Sequence, residues 1–213
     1  YSEDTGEYVI VSEIPGTQMI QEKVASKVED ALSGLSLSVI LDDDDYVNPE
    51  RYSDDDVLVE AMIAANGRLS LTITYDILGA TEVVESSTIA KWISIDRDLN
   101  VTYDEEAIED YVYYLAHTYN TYGREREFKT TLGDTITIGG GDYGWVVSKS
   151  GEKAQILEDL KSGVSVEREP VYEQTAATRN DNEDIGETYI EIDYTNQHLY
   201  YYKNGEDRKS TRL

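Results

Sequence analysis

Cysteine is missing from all 213 residues, which excludes a disulfide framework, a thiolate metal site and a thiolate nucleophile. The absence carries little information on compartment, because secreted bacterial proteins often lack cysteine as well. Basic residues are scarce: 18 Lys and Arg face 44 Asp and Glu, for a formal charge of -26. A surface this acidic repels phosphate backbones and anionic headgroups, so nucleic acid and membrane-surface partners are not expected. Its plainest meaning is a strongly solvated surface that keeps the protein in solution. No run of ~18 apolar residues is present, so nothing in the sequence reads as a membrane span. The first residue is Tyr1, with no methionine or signal-like apolar stretch behind it. The expectation is a trimmed or mature fragment, with any anchor lying upstream.

What is present is enough for a core. Hydrophobic residues make up 39% of the chain, which suits one large domain or two modest ones. Strand and helix periodicities alternate along it. The pattern predicts a strand over Glu7–Glu13, broken by Pro15-Gly16, then a helix over Glu22–Leu32 with Val24, Ala25, Val28, Ala31 and Leu32 on one face. Leu35–Leu41 reads as a returning strand. Asp54, Asp55 and Asp56 introduce a short amphipathic helix that Asn66-Gly67 should end. Strands are expected at Leu69–Tyr75, Thr81–Val84, Ile93–Ile95 and Val101–Tyr103.

The clearest helix is capped by Asp104 and runs to about Tyr119, with Ala107, Ile108, Tyr111, Val112, Leu115, Ala116 and Tyr119 in a wide apolar stripe. Glu127–Thr131 and Thr135–Ile138 form a strand pair around Leu132-Gly133-Asp134. The glycine-rich Gly139–Trp145 follows, then a helix around Ala154, Ile156, Leu157 and Leu160 that Gly163 stops. Near the end, Thr188–Tyr194 and His198–Tyr202 read as a hairpin with Ile190 and Ile192 against Leu199 and Tyr201. Asn204-Gly205 is a strong turn signal. The tail that follows it, Glu206–Leu213, is charged, so the expectation is an open sheet edge in place of a third strand.

Two stretches share one plan. A strand reaches Gly16, a helix places Val28 and Leu32 at +12 and +16, and the chain meets Pro49. Likewise a strand reaches Gly144, a helix places Ile156 and Leu160 at the same offsets, and the chain meets Pro170. An internal repeat over residues 7–49 and 135–170, around a central 54–131 segment, is one reading; chance agreement of two helices is the other.

Several segments carry a resemblance to a known family. EYVIVSEIPGTQM near the start, STIAKWISID from Ser87, TYGREREFKTTLGDTITIGGGDYGW from Thr121 and EREPVYEQTAATRNDNEDIG from Glu167 resemble, in order and spacing, the peptidoglycan-binding module that precedes the catalytic domain of Gram-positive L,D-transpeptidases. The resemblance implies an α+β fold: a mixed α/β wall-associated module of short helices packed on antiparallel strands, then the first β-hairpin of a β-rich catalytic domain. It implies a module over residues 1–170, a linker over 171–187, and the opening of the catalytic domain over 188–213. In such enzymes a cysteine attacks the third stem-peptide residue, releases the terminal D-alanine and passes the acyl group to a neighbouring amine, with a histidine as base. No residue here matches the Ser-X-Gly-Cys element that carries that chemistry. The resemblance therefore implies a non-catalytic, extracytoplasmic region that binds or positions peptidoglycan, through glycan strand or stem peptide. The alternatives are a spacer domain, or part of the substrate cleft of an active enzyme.

If the region binds wall polymer, exposed aromatic rings are the natural contacts, since sugar C–H faces pack on flat rings. Tyr143 and Trp145 in the glycine-rich turn come first, and Tyr172 second; against this, the favoured reading of Trp145, and more so of Trp92, is a core residue anchoring helices to a sheet. His117 falls off its helix's apolar stripe and His198 lies in a strand, so both read as non-catalytic. The run Gly139–Gly141 lacks the lysine and Ser/Thr of a phosphate loop. Neither Asp42–Asp45 nor Asn180–Asp184 orders its oxygens as a calcium loop. No cofactor and no metal are expected.

Overall fold

The structure, a computed structural model, describes residues 1–14, 16–179 and 184–213. Two compact units divide the chain: residues 1–66 with 95–101, and residues 67–94 with 102–213.

In the first unit, helix α1 covers Gln21–Ser33 and helix α2 starts at Asp56 and runs to Leu69. Glu7–Glu13 is not a strand, nor is Leu35–Leu41: the first makes only an isolated bridge, Ser2 to Glu7, and the second pairs with nothing among the described residues. Alternation supplies a strand-like side-chain pattern, but a strand needs a neighbour to satisfy its backbone. Pro15 of the expected Pro15-Gly16 break lies outside the described residues. Asn66-Gly67 fails to stop α2 because the Asn66 side chain is engaged elsewhere: its Oδ1 accepts from Tyr8 N–H (2.8 Å) and its Nδ2 donates to Tyr8 C=O (2.9 Å). Among the described apolar side chains of this unit only Ala61 and Ala65 are buried.

Strands β1 (Ile73–Ile77) and β2 (Ala80–Val84) open the second unit as a tight hairpin. Its Leu78-Gly79 corner has positive φ at both residues, 52° and 84°, matching the twist of the strands it joins. Helix α3 (Ser86–Trp92) follows, a segment whose short period the sequence did not reveal. Strands β3 (Ile93–Ile95) and β4 (Val101–Tyr103) pair with each other at the expected residues. Helix α4 spans Glu105–Tyr119, and its Asp104 cap accepts from Glu106 N–H (3.1 Å) and Ala107 N–H (3.0 Å). Its stripe buries Ile108, Val112, Leu115 and Ala116 and leaves His117 exposed.

Beyond α4 come β5 (Arg126–Lys129) and β6 (Thr135–Ile138), an antiparallel pair, then β7 (Val146–Val147), helix α5 (Lys149–Ser162), β8 (Val166–Arg168) and β9 (Tyr172–Gln174). A three-stranded sheet has the order β2-β1-β8, with β8 parallel to β1. Ile73, Tyr75, Ile77 and Val84 from this sheet, Ile89 and Trp92 from α3, Ile108, Val112 and Leu115 from α4, and Ile156 and Leu160 from α5 are the buried core.

The last sheet is β10 (Tyr189–Asp193), β11 (His198–Lys203) and β12 (Glu206–Arg212), in that order and antiparallel. Ile190 stands opposite Tyr201 and Ile192 opposite Leu199, as the alternation predicts. The expected open edge is wrong: the charged tail is itself the third strand, paired with β11. A main-chain ladder at a sheet edge does not require apolar side chains, and charge there discourages further pairing.

Candidate functional site

The site starts at a glycine whose place no other residue can take. Gly144 has φ of 134°, and a Cβ there would stand 2.6 Å from the Thr121 carbonyl carbon and the Tyr122 nitrogen. This close approach brings Trp145 under the end of α4, where Thr121 N–H donates to Trp145 C=O (3.0 Å) and Thr121 Oγ1 accepts from Trp145 N–H (2.8 Å). Trp145 is buried, and its indole N–H donates to Thr178 C=O (2.8 Å). The Tyr172 ring meets it edge-on, with centroids 4.8 Å apart, and burial pushes the Tyr172 phenol up to about 12. These two of the three expected contact residues are thus paired with each other.

Tyr143 is exposed along part of its ring, and its hydroxyl is fixed: it donates to Asp184 C=O (2.8 Å) and accepts from Ala177 N–H (2.7 Å). Beneath it lies an ion pair that local sequence does not signal. Arg126 donates through Nη2 to Asp184 Oδ2 (2.7 Å) and to Thr121 C=O (2.8 Å), and its guanidinium sits 5.6 Å from the Tyr143 ring centre. Asp184 also accepts from Thr121 Oγ1 (2.8 Å). Burial raises the Asp184 carboxyl, but the hydrogen bonds from Arg126 and Thr121 more than reverse this and hold it below the usual carboxylate range.

Over this base lies a cavity of about 600 Å³, walled by Arg126, Ile138, Gly139, Gly141 and Tyr143 on one side and by Thr175–Ala177, Ile185, Thr188 and Tyr189 on the other. A second hollow of about 690 Å³ shares Ala177, Ile185, Thr188 and Tyr189 and continues past Phe128, Lys129 and Asn204. Tyr189 belongs to both. It packs edge-on against Phe128 at 5.3 Å and stacks on Tyr202 at 4.9 Å. The two hollows adjoin through these shared residues and form one groove with aromatic rings along it. Residues 180–183 of the expected Asn180–Asp184 acidic run lie outside the described residues. Among the described residues no group of three or more His, Asp or Glu is placed to hold a metal ion.

A second buried polar cluster belongs to the fold rather than to the groove. Glu152 lies on α5 in line with Ile156 and Leu160, fully buried. It accepts from Tyr75 Oη (2.6 Å), from Arg168 Nη2 (2.7 Å) and Nη1 (3.0 Å), and from Val171 N–H (2.6 Å). Arg168 Nε donates to Asp159 Oδ2 (2.9 Å). The signal was legible: a glutamate one turn before two core positions on a helical stripe is a buried carboxylate in need of partners.

The class of domain is indicated by residues 63–167, which match the family described as "Putative peptidoglycan binding domain". Two solved structures of Enterococcus faecium L,D-transpeptidase are similar to the chain. One is described as the Ldtfm-avibactam carbamoyl enzyme (32% identity, TM-score 0.54, 73% of this chain and 60% of that one). The other is a cysteine-to-serine mutant of the enzyme (31% identity, TM-score 0.53, 72% and 60%). The chain therefore spans 60% of the length of these structures. None of the functionally curated proteins matches it. No helix among the described residues is long and apolar enough to cross a membrane.

Proposed function

We propose that this chain is a non-catalytic, peptidoglycan-positioning region of an L,D-transpeptidase-like protein of cell-wall cross-linking, and that wall polymer lies in the groove along Tyr143 and Tyr189. The observation that carries the reading is that groove: ring-lined and floored by a fixed arginine, in a chain whose residues 63–167 match a peptidoglycan-binding family. Tyr143 presents the contact face, while Trp145 and Tyr172 act from behind it by holding the glycine-rich turn in place. The chain brings no cysteine to the site, so bond making and breaking fall to residues it does not contain.

The test is co-sedimentation of the chain with purified sacculi, with and without their anionic polymers, over a salt series. Binding should persist at high salt, because ring stacking is screened little. Tyr143→Ala should weaken it roughly tenfold, the worth of one aromatic contact of about 1.4 kcal/mol. An unchanged amide spectrum of unit 2 shows that the variant is folded. Absence of binding under every condition leaves a spacer domain and rejects the groove.

A further inference from the structure

Strands β5 and β6 form a sheet of two, so each has one edge without a strand beside it among the described residues. The phase of their ladder is fixed where Thr130 N–H donates to Asp134 C=O (2.8 Å). In an antiparallel pair the bonded positions alternate, so Thr130, Phe128 and Arg126 turn their backbone groups toward β6. Glu127, Lys129 and Thr131 turn theirs the other way. Of these three, Thr131 is already engaged: its N–H (3.0 Å) and its hydroxyl (2.5 Å) both donate to Glu191 Oε2 of β10. Glu127 and Lys129 are left with outward N–H and C=O groups and no strand to receive them.

What they face is the second hollow, whose wall takes in Glu127, Phe128 and Lys129 in succession. Side chains of successive strand residues point to opposite faces. A hollow that touches all three therefore runs along the edge of β5 rather than over one face of the sheet. Ile185, Gly186, Glu187 and Thr188 line it as well. An open strand edge is a template for one more strand, and here it lies within a concavity of about 690 Å³. The side chains of Glu127, Lys129 and Glu187 around it are exposed and form no ion pair among the described residues. Charges of both signs at this edge disfavour an apolar strand and suit a ligand that carries charges of its own.

We infer that the second hollow takes the peptide stem of the wall polymer, bound as an added strand on the outer edge of β5. This rests on the wall-binding reading above and narrows it to one component of the polymer. A glycan strand offers hydroxyls and acetamido groups but no run of main-chain amides at strand spacing. A peptide offers an N–H and a C=O at each residue, and pairing with Glu127 and Lys129 engages a stretch of about three residues. Free carboxylate and amine groups of the stem have Lys129 and the two glutamates to meet. Main-chain bonds supply the hold, and the charges set the direction of the strand.

The test uses the 213-residue chain with three probes: purified sacculi, glycan strands freed of their stems by an amidase, and a soluble synthetic stem peptide. At saturation the peptide should shift the Glu127 and Lys129 amide resonances and slow their hydrogen exchange about fivefold, while Phe128, whose N–H faces β6, keeps its rate. Stem-free glycan should do neither. Lys129→Pro removes one outward donor, spares the ladder to β6, and should weaken the peptide about fivefold. Glu187→Gln leaves the backbone untouched and should weaken it about twofold, at low salt alone. If sacculi bind but the peptide moves neither amide, or stem-free glycan binds as tightly as sacculi, the inference is overturned and the wall-binding reading survives. Protection of the two amides by the peptide without binding to sacculi keeps the strand site and rejects the wall as its setting. Failure of all three probes rejects both.

Discussion

Helices α1 and α5 begin alike, end alike and carry apolar residues at the same offsets, yet one has no buried residue and the other sits in a core. The comparison separates two things that periodicity confounds. A stripe of Val and Leu at helical spacing reports that a helix can be buried on one side; it does not report that the partner surface is in place. The difference shows in the polar positions too. Where α5 has Glu152, held by a tyrosine, an arginine and a backbone N–H, α1 has Val24 beside a shallow concavity lined by Met19, Gln21 and Ala25.

The largest break in that comparison is expected at Glu152. Glu152→Ala leaves the Val171 N–H and the Tyr75 hydroxyl without their carboxylate and the Arg168 guanidinium with Asp159 as its remaining carboxylate, and should cost about 3 kcal/mol, read as a fall in the denaturant midpoint of the second unit. The matching Val24→Ala should stay within about 0.5 kcal/mol. Next comes Leu160→Ala, a core truncation of about 2–5 kcal/mol, against near neutrality for Leu32→Ala. Equal losses in the two helices would mean that α1 is covered in solution.

The smallest effect concerns acid. Asp184 has its folded pKa depressed, so its contribution is present above the unfolded carboxylate value near 3.9 and is lost as pH falls through the lower folded value. Asp45 is depressed in the same sense, chiefly by the Lys27 hydrogen bond and then by the Asp42 backbone N–H. Carboxyl NMR titration should place both midpoints below ordinary aspartate. A midpoint for Asp184 at or above the ordinary value would remove the Arg126 pair from the groove floor.

The elements that were legible are those whose signals are local. Asp104 followed by an acidic first turn and a seven-residue stripe defines α4 to the residue, and Gly163 marks the end of α5. Strands β3 and β4 were also read correctly. What failed depends on distant partners. Glu7–Glu13 and Leu35–Leu41 alternate like strands but have no strand to pair with among the described residues, while the charged β12 pairs because β11 offers it an edge. Asn66 looks like a helix stop until Tyr8 is seen to occupy its amide. At the site, Tyr143, Trp145 and Tyr172 could be named from the glycine-rich turn. Arg126 and Tyr189 could not, since the contacts that place them at the cavity, Arg126 with Asp184 and Tyr189 with Phe128, reach across some sixty residues of chain.

Glu152 has a further consequence where the chain is pulled. It holds Val171 N–H, and Ser148 N–H holds Val171 C=O, so the strand leaving the helical layer is fastened to α5 immediately after Pro170. Tension that reaches this strand from the C-terminal side, once β9 has left β7, must shear a guanidinium–carboxylate fork and these backbone bonds together. Failure under load is set by how slowly such a joint opens rather than by equilibrium stability. The joint makes residues 168–171 a mechanical clamp between α5 and the strand that leaves it, one that should hold against more force than a single backbone bond.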